Sequence, residues 1–201
     1  KRPFRSPHYT VSASSMIGGG RIPKPGEISL AHYGILFLDE LPEFSRTTLE
    51  VLRGPIEDRK VTISRVATTV TYPSNFMLIA SMNPCECGYY GSDLKKCTCN
   101  AKSIKRYVEK ISGPMLDRID LHVEVKPVEY EKLASINKSE NSKEIKKRVD
   151  KAREIQLQRY NGLGIFCNAE LDSNLLDKFC KLDGKSRKIM EKAFEKFRIK
   201  C

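Results

Sequence analysis

The sequence predicts an α/β core with a mainly parallel sheet, interrupted by a β-hairpin and followed by an all-helical subdomain. Three stretches predict it. Ile35-Leu36-Phe37-Leu38 is an apolar run that passes directly into Asp39 and Glu40, as a central strand covered on both faces does when it ends at a ligand-binding edge. Phe76 to Met82 repeats the pattern and ends at Asn83-Pro84. Between them, Arg59 to Pro73 is β-branched and alternating, with Arg65 near its middle, and reads as two strands of a hairpin.

In chain order, residues 1 to 33 are rich in Pro, Gly and Ser, with an extended piece at Phe4 to Val11. Gly18-Gly19-Gly20 and Pro23-Lys24-Pro25-Gly26 read as a flexible surface loop. A glycine run that cradles phosphate needs a strand before it and a helix with a basic residue after it, and neither is evident. Glu27 to His32 forms a short helical turn into the apolar run. Beyond the two acids, Pro42 and Ser45 introduce a helix through Leu49, Val51 and Leu52 that stops at Gly54-Pro55. Leu121 to Val125 is a third, alternating strand, preceded by Leu116-Asp117-Arg118-Ile119-Asp120. The composition changes past Pro127, which predicts a core over 1–128, a linker over 129–142 and a truncated helical subdomain over 143–201. There Asn141 and Glu144 can form a capping box. Ile145, Val149, Ala152 and Gln156 keep the helical period to Tyr160. Leu175, Leu176, Phe179 and Leu182 predict a second helix, and Ile189, Met190, Ala193, Phe194 and Phe197 a third.

Composition bounds the function. Hydrophobic residues make up 40% and charged residues 30% of the 201 positions, ordinary for a soluble protein. No apolar run approaches the ~18 residues of a membrane span. The net charge of +11 favours a polyanionic partner. However, 18 of the 36 basic and 12 of the 25 acidic residues lie in 129–201, so the excess is spread and fits a solvated surface equally well. Seven cysteines without a secretory signal predict a reducing, cytoplasmic compartment. Lys1 in place of an initiating Met, and Cys201 inside a helical pattern, predict a piece of a longer chain.

Four groups of residues carry candidate chemistry. At a strand tip, Asp39 can hold Mg²⁺ through a bound water while Glu40 orients or deprotonates the attacking water, the division of labour in NTP hydrolysis. The plain alternative is a core strand ending in a solvated acidic turn. Asn83 at the second tip is placed to bond a γ-phosphate or its water, or is a turn-former before Pro84. Lys60 and Arg65 on the hairpin suit a phosphate backbone, or solubilise an edge. Cys85-Glu86-Cys87 and Cys97-Thr98-Cys99 bracket the nine residues 88–96. Four thiolates satisfy tetrahedral Zn²⁺ in a closed structural site, against an unmetallated or partly oxidised loop. The C-x-C spacing strains chelation by neighbours more than C-x-x-C. Cys180 reads as a core residue on an apolar helix face; Cys167 and Cys201 stand alone. Gly184-Lys185-Ser186 is the only Gly-Lys-Ser, but Phe179 stands where a phosphate loop needs glycine, so Asp183-Gly184 reads as a turn between helices.

Together, Arg2-Pro-Phe-Arg-Ser-Pro-His8, Ile17 to Gly20, Pro25 to His32, Gly34 to Phe44, Asn83-Pro84-Cys85 and Ser112 to Val125 resemble the AAA+ ATPases of the magnesium-chelatase-like group. The match is most specific to the ComM (YifB) competence-protein family and runs over essentially the whole chain. The resemblance implies a partial P-loop-type, three-layer AAA+ core with a partial helical lid. It implies that Asp39 and Glu40 are the Walker B pair, Asn83 the sensor-1 residue and Arg118 an arginine finger reaching the ATP of a neighbouring subunit. Without it, an arginine between Asp117 and Asp120 reads as half of an intrachain ion pair. Residues 59–75 would be the DNA-touching hairpin before sensor 1, and Gly18 to Leu30 the insert in helix 2. ATP and Mg²⁺ as cofactors, a hexameric homo-oligomeric ring, DNA as partner and a branch-migration activity in natural transformation or recombination follow from the resemblance. The Walker A loop, a Lon-protease-like amino-terminal domain and the sensor-2 arginine are absent from these residues. The chain alone is therefore expected neither to bind ATP tightly nor to hydrolyse it. Two other readings stand: a chelatase motor subunit inserting Mg²⁺ into a porphyrin, and a zinc-stabilised nucleic-acid-binding module without catalysis.

Overall fold

A computed structural model of the chain describes residues 2–65, 68–93, 95–125 and 140–197. It divides into two units, residues 1–129 and residues 130–201.

The first unit is built on a three-stranded parallel sheet of β1 (Phe4–Arg5), β4 (Ile35–Leu38) and β7 (Met77–Ala80), with β4 in the middle. Phe4 pairs with Ile35, and Leu38 with Ala80 at the carboxyl end. Parallel neighbours need crossovers. The first runs through α1 (Ala13–Ile17), the ribbon β2 (Gly18–Gly19) and β3 (Lys24–Pro25), and α2 (Glu27–Leu30). The second runs through a 3-10 turn at Leu41–Glu43, α3 (Arg46–Glu50), α4 (Arg53–Asp58) and the antiparallel hairpin β5 (Lys60–Ser64) and β6 (Thr69–Pro73). After β7 come α5 (Ala101–Val108) and α6 (Gly113–Leu116). Leu36 and Leu38 point into one core with Met16, Ile28, Leu49 and Leu52. A bidentate pair from Arg5 to Glu27, 2.7 Å at each contact, ties β1 to α2.

The sheet is less evenly covered than the apolar runs predict. Alternate residues of β4 are fully buried, while Ile35 and Phe37 on the other face are only half-buried. Phe37 stacks on Phe4 with ring centroids 6.2 Å apart. In β7, read from the sequence as buried, Met77 is 62% exposed and Ile79 39%. Among the described residues β7 pairs only with β4, so one edge of the strand is bare.

Four other expectations are corrected. Only Phe4–Arg5 of the extended amino-terminal piece is strand, and the following residues turn into α1. The glycine triplet does not lie in an open loop: Gly18 and Gly19 pair with Pro25 and Lys24. Gly54-Pro55 does not stop the helix but sits in the first turn of α4, where Pro55 lacks an N–H that would have no intrahelical acceptor. Leu121 to Val125 joins no strand, and Leu121, Val123 and Val125 are more than four-fifths exposed. Alternation makes a strand only where a ladder partner exists, and none is present among the described residues.

The second unit holds α7 (Ser142–Arg159), a 3-10 turn at Asn168–Glu170, α8 (Ser173–Phe179) and α9 (Gly184–Phe197). The capping box opens α7: the Glu144 N–H donates to Asn141 Oδ1 at 3.0 Å, and the Asn141 N–H to Glu144 Oε2 at 3.3 Å. Tyr160 packs edge-on against Phe179 at 5.3 Å. Cys180, expected in a core, is exposed just past the end of α8. Gly184-Lys185-Ser186 starts α9, with Asp183 accepting the Ser186 N–H at 2.7 Å, so no phosphate-binding turn forms there. The expected linker falls on 129–142, of which 129–139 lie outside the described residues, as do Val66, Ala67 and Cys201.

Candidate functional site

Asp39 and Glu40 emerge at the carboxyl end of β4, exposed, beside the carboxyl end of β7. The joint is made by Ser81. Its N–H donates to the Leu38 carbonyl at 3.0 Å, and its carbonyl accepts the Leu41 N–H at 2.9 Å. Its hydroxyl donates to Asp39 Oδ1 and accepts the Glu40 N–H at 3.3 Å. The Glu40 N–H also reaches Asp39 Oδ1 at 3.1 Å. One Asp39 oxygen is thus held by the protein. Glu40 itself sits at φ 55°, ψ 50°, the left-handed region that a glutamate adopts only at a cost of order 1–3 kcal/mol.

Asn83 follows β7 and is exposed. Tyr107 of α5 is only 3% exposed. Burial pushes the Tyr107 phenol up from its ordinary range, and the Glu43 carboxylate adds to it. Lys110 bonds Glu43 at 3.2 Å and lies 5.4 Å over the Tyr107 ring. The turn after Glu40 and the end of α5 thereby line a cleft of about 450 Å³ between Phe44 and Arg106.

Directly after Asn83, the Cys85, Cys87, Cys97 and Cys99 sulfurs all lie within 4.8 Å of one another. Three separations are 3.4 Å (Cys85 to Cys87), 3.5 Å (Cys87 to Cys97) and 3.8 Å (Cys85 to Cys97). Zinc–sulfur bonds of about 2.3 Å in a tetrahedron give sulfur–sulfur edges of about 3.8 Å, so the donor set fits Zn²⁺ after small shifts. Disulfide bonding, near 2.05 Å, is not what these sulfurs show. Backbone N–H groups of Tyr89 and Thr98 bring the Cys87 thiol down to about 5, while burial pushes Cys97 up to about 12. Metal-bound thiols are deprotonated, so a cation held by this set would release protons on binding.

Arg118, at the end of α6, is not free. Its guanidinium pairs with Glu57 of α4, and its Nη1 donates to the Pro114 carbonyl. Its side chain is only 22% exposed. On the hairpin, Arg65 and Thr68 close the tip through a pair of backbone bonds, 2.8 and 3.3 Å. The Arg65 guanidinium lies against Gly19, where a Cβ would come within 3.1 Å of it, and the Tyr72 hydroxyl donates to the Pro23 carbonyl at 2.8 Å. These two contacts tie the hairpin to the β2–β3 ribbon, in which Lys24 pairs with Gly19, and Lys60 opens β5.

The structure thus brings Asp39, Glu40 and Asn83 to adjacent strand tips and gathers the four cysteines, while Arg118 and the hairpin cations stand on separate elements. Sequence reasoning missed Ser81, whose only signal is a hydroxyl near the end of an apolar run.

A parallel sheet with acids at the tip of its central strand and a polar amide beyond the neighbouring one places the chain among the α/β proteins. The chain belongs to the magnesium chelatase, subunit ChlI family, matching the family over residues 1–133 and its subunit ChlI C-terminal family over 139–200. It is 47% identical over 193 residues to the uncharacterized protein YifB of Escherichia coli K12, covering 95% of this chain and 37% of that one. Against the competence protein ComM of Haemophilus influenzae it is 42% identical over 197 residues, 98% of this chain and 38% of that one. The chain therefore spans little more than a third of these relatives. A solved structure, NtrX from Brucella abortus, superposes over 58% of this chain and 24% of that one, with a TM-score of 0.40 and 19% identity. No helix among the described residues is long and apolar enough to cross a membrane.

Proposed function

We propose that the full-length protein carrying this chain is a ring-forming, ATP-driven AAA+ motor that acts on DNA. The observation that carries the reading is the pair of adjacent strand tips, Asp39-Glu40 on β4 and Asn83 beyond β7, joined through Ser81. Asp39 would hold a water of the Mg²⁺ shell, its second oxygen fixed by Ser81, and Glu40 would take the proton of the attacking water. Asn83 would hydrogen-bond the γ-phosphate or that water. ATP supplies the phosphoryl group, and its cradle is not among residues 1–201. Arg118 acts as a finger toward a neighbouring subunit once it leaves Glu57, so its ion pair marks the disengaged state. Lys60 and Arg65 meet the DNA backbone. Four thiolates hold a structural Zn²⁺, which has no open position for chemistry.

The likeness to a competence protein and the hairpin cations Lys60 and Arg65 favour DNA over a porphyrin. The family description favours a second reading, a metal-insertion motor of the chelatase type. ATPase and strand-exchange activity of the full-length protein test both. Glu40→Gln is expected to abolish turnover while leaving nucleotide affinity intact, and unchanged turnover would sink the motor. Porphyrin metallation with a partner subunit, without strand exchange, would select the second reading.

A further inference from the structure

The backbone of Arg118 is fixed while its side chain is not. Its N–H donates to the Met115 carbonyl at 3.2 Å and the Ile119 N–H to the Leu116 carbonyl at 3.0 Å, which carries the turn of α6 past its end. Met115 lies in the core, with Leu116 and Ile119 packed against it, so a change in the reach of Arg118 has to come from its side chain. The last turn of α4 holds Glu57 and Asp58 and no base of its own, which puts carboxylates at the helix end that favours cations. The Arg118 guanidinium supplies the cation: Nη2 pairs with Glu57, and Nη1 donates to the Pro114 carbonyl. Its Nε, however, is buried with no partner among the described residues. A buried donor without an acceptor is a cost, and Glu57 is itself 54% exposed, so this pose holds the guanidinium only loosely.

We propose that Glu57 is a positioning residue for Arg118: it holds the guanidinium against its own subunit and withholds it from a neighbour's nucleotide until a better set of acceptors comes within reach. This rests on the reading of Arg118 as an arginine finger. A phosphate group offers that set. Its oxygens match the guanidinium fork and can accept the Nε–H that the resting pose leaves unbonded. The competition is uneven. A partly exposed ion pair shifts an equilibrium by about two- to fivefold, whereas an arginine finger on a transferring phosphoryl group is worth about 10³–10⁵ in rate. Glu57 therefore does not block the finger but sets the share of subunits that present it at any moment.

Mixed assemblies of full-length chains, read by ATPase turnover, test the restraint. Glu40→Gln chains keep Arg118 but lack the base for hydrolysis, and Arg118→Ala chains keep the base but serve no neighbour. Mixing the two is expected to restore turnover that neither shows alone. Glu57→Gln added to the Glu40→Gln chain, which donates the finger, should raise the restored turnover about two- to fivefold. The same change on the Arg118→Ala chain should raise nothing, because no finger remains there to release. A purely structural tie would behave differently: Glu57→Gln would lower both the melting temperature and the restored turnover whichever chain carried it. That result, no rise from the donor chain, or an equal rise from either chain would overturn the restraint and leave the finger standing. Mixing that restores no turnover would overturn the finger reading, and the restraint with it.

Discussion

Leu38 is the last residue of β4, fully buried, and its carbonyl holds the Ser81 N–H. Leu38→Ala removes a side chain from the core shared with Met16, Ile28 and Leu49. A fully enclosed leucine truncated to alanine costs about 3–5 kcal/mol, the transfer loss and the residual cavity together. Met77, one strand over and 62% exposed, withdraws well under half of its surface from water, so Met77→Ala should cost about 1 kcal/mol or less. Amide exchange of β4 measured against urea concentration isolates the amino-terminal unit and reads both losses. Equal costs at the two positions, or less than about 1 kcal/mol at Leu38, would refute the one-sided core. The Leu38 variant should also loosen Ser81, visible as faster exchange of its amide.

Gly34→Ala is expected to unpair β1, because a Cβ there overlaps the Pro3 carbonyl oxygen that accepts the Ile35 N–H at 2.9 Å; loss of exchange protection at Ile35 is the check. Asp183 is held below the usual carboxylate range by the Ser186 N–H bond, so its contribution to α9 is present above the ordinary Asp pKa and is lost as pH falls through the lowered one. Far-ultraviolet circular dichroism of Asp183→Asn, which keeps an accepting oxygen but cannot ionise, should show a flatter acid limb. Lys60→Ala and Arg65→Ala should weaken DNA binding evenly across sequences, each lowering the salt slope by about 0.9; an unchanged slope would remove the hairpin from the DNA-binding surface.

Much of the site can be read from sequence because its signals are local. The hairpin follows from alternation around Arg65, the strand tip from Ile35 to Glu40, and the opening of α7 from Asn141 and Glu144. What cannot be read depends on partners. The apolar run at Met77 to Ala80 says nothing about whether a neighbour covers it, and Leu121 to Val125 alternates without a strand to pair with. Gly54-Pro55 is ambiguous for another reason: the residues that end a helix are also tolerated in its first turn. Cysteine spacing predicts a cluster, but the distances between sulfurs belong to the tertiary fold. Ser81 is invisible for the same cause, since it matters through residues far along the chain.

The left-handed backbone at Glu40 sets fold stability and chemistry against each other at a single position. On conformational grounds the best residue there is glycine, and Asn would follow. Glu40→Gly should therefore raise the melting temperature while removing the carboxylate, whereas Glu40→Gln keeps both the shape and the strain. A lineage free to drift would be expected to lose this glutamate early, so its retention in any relative is a record of use.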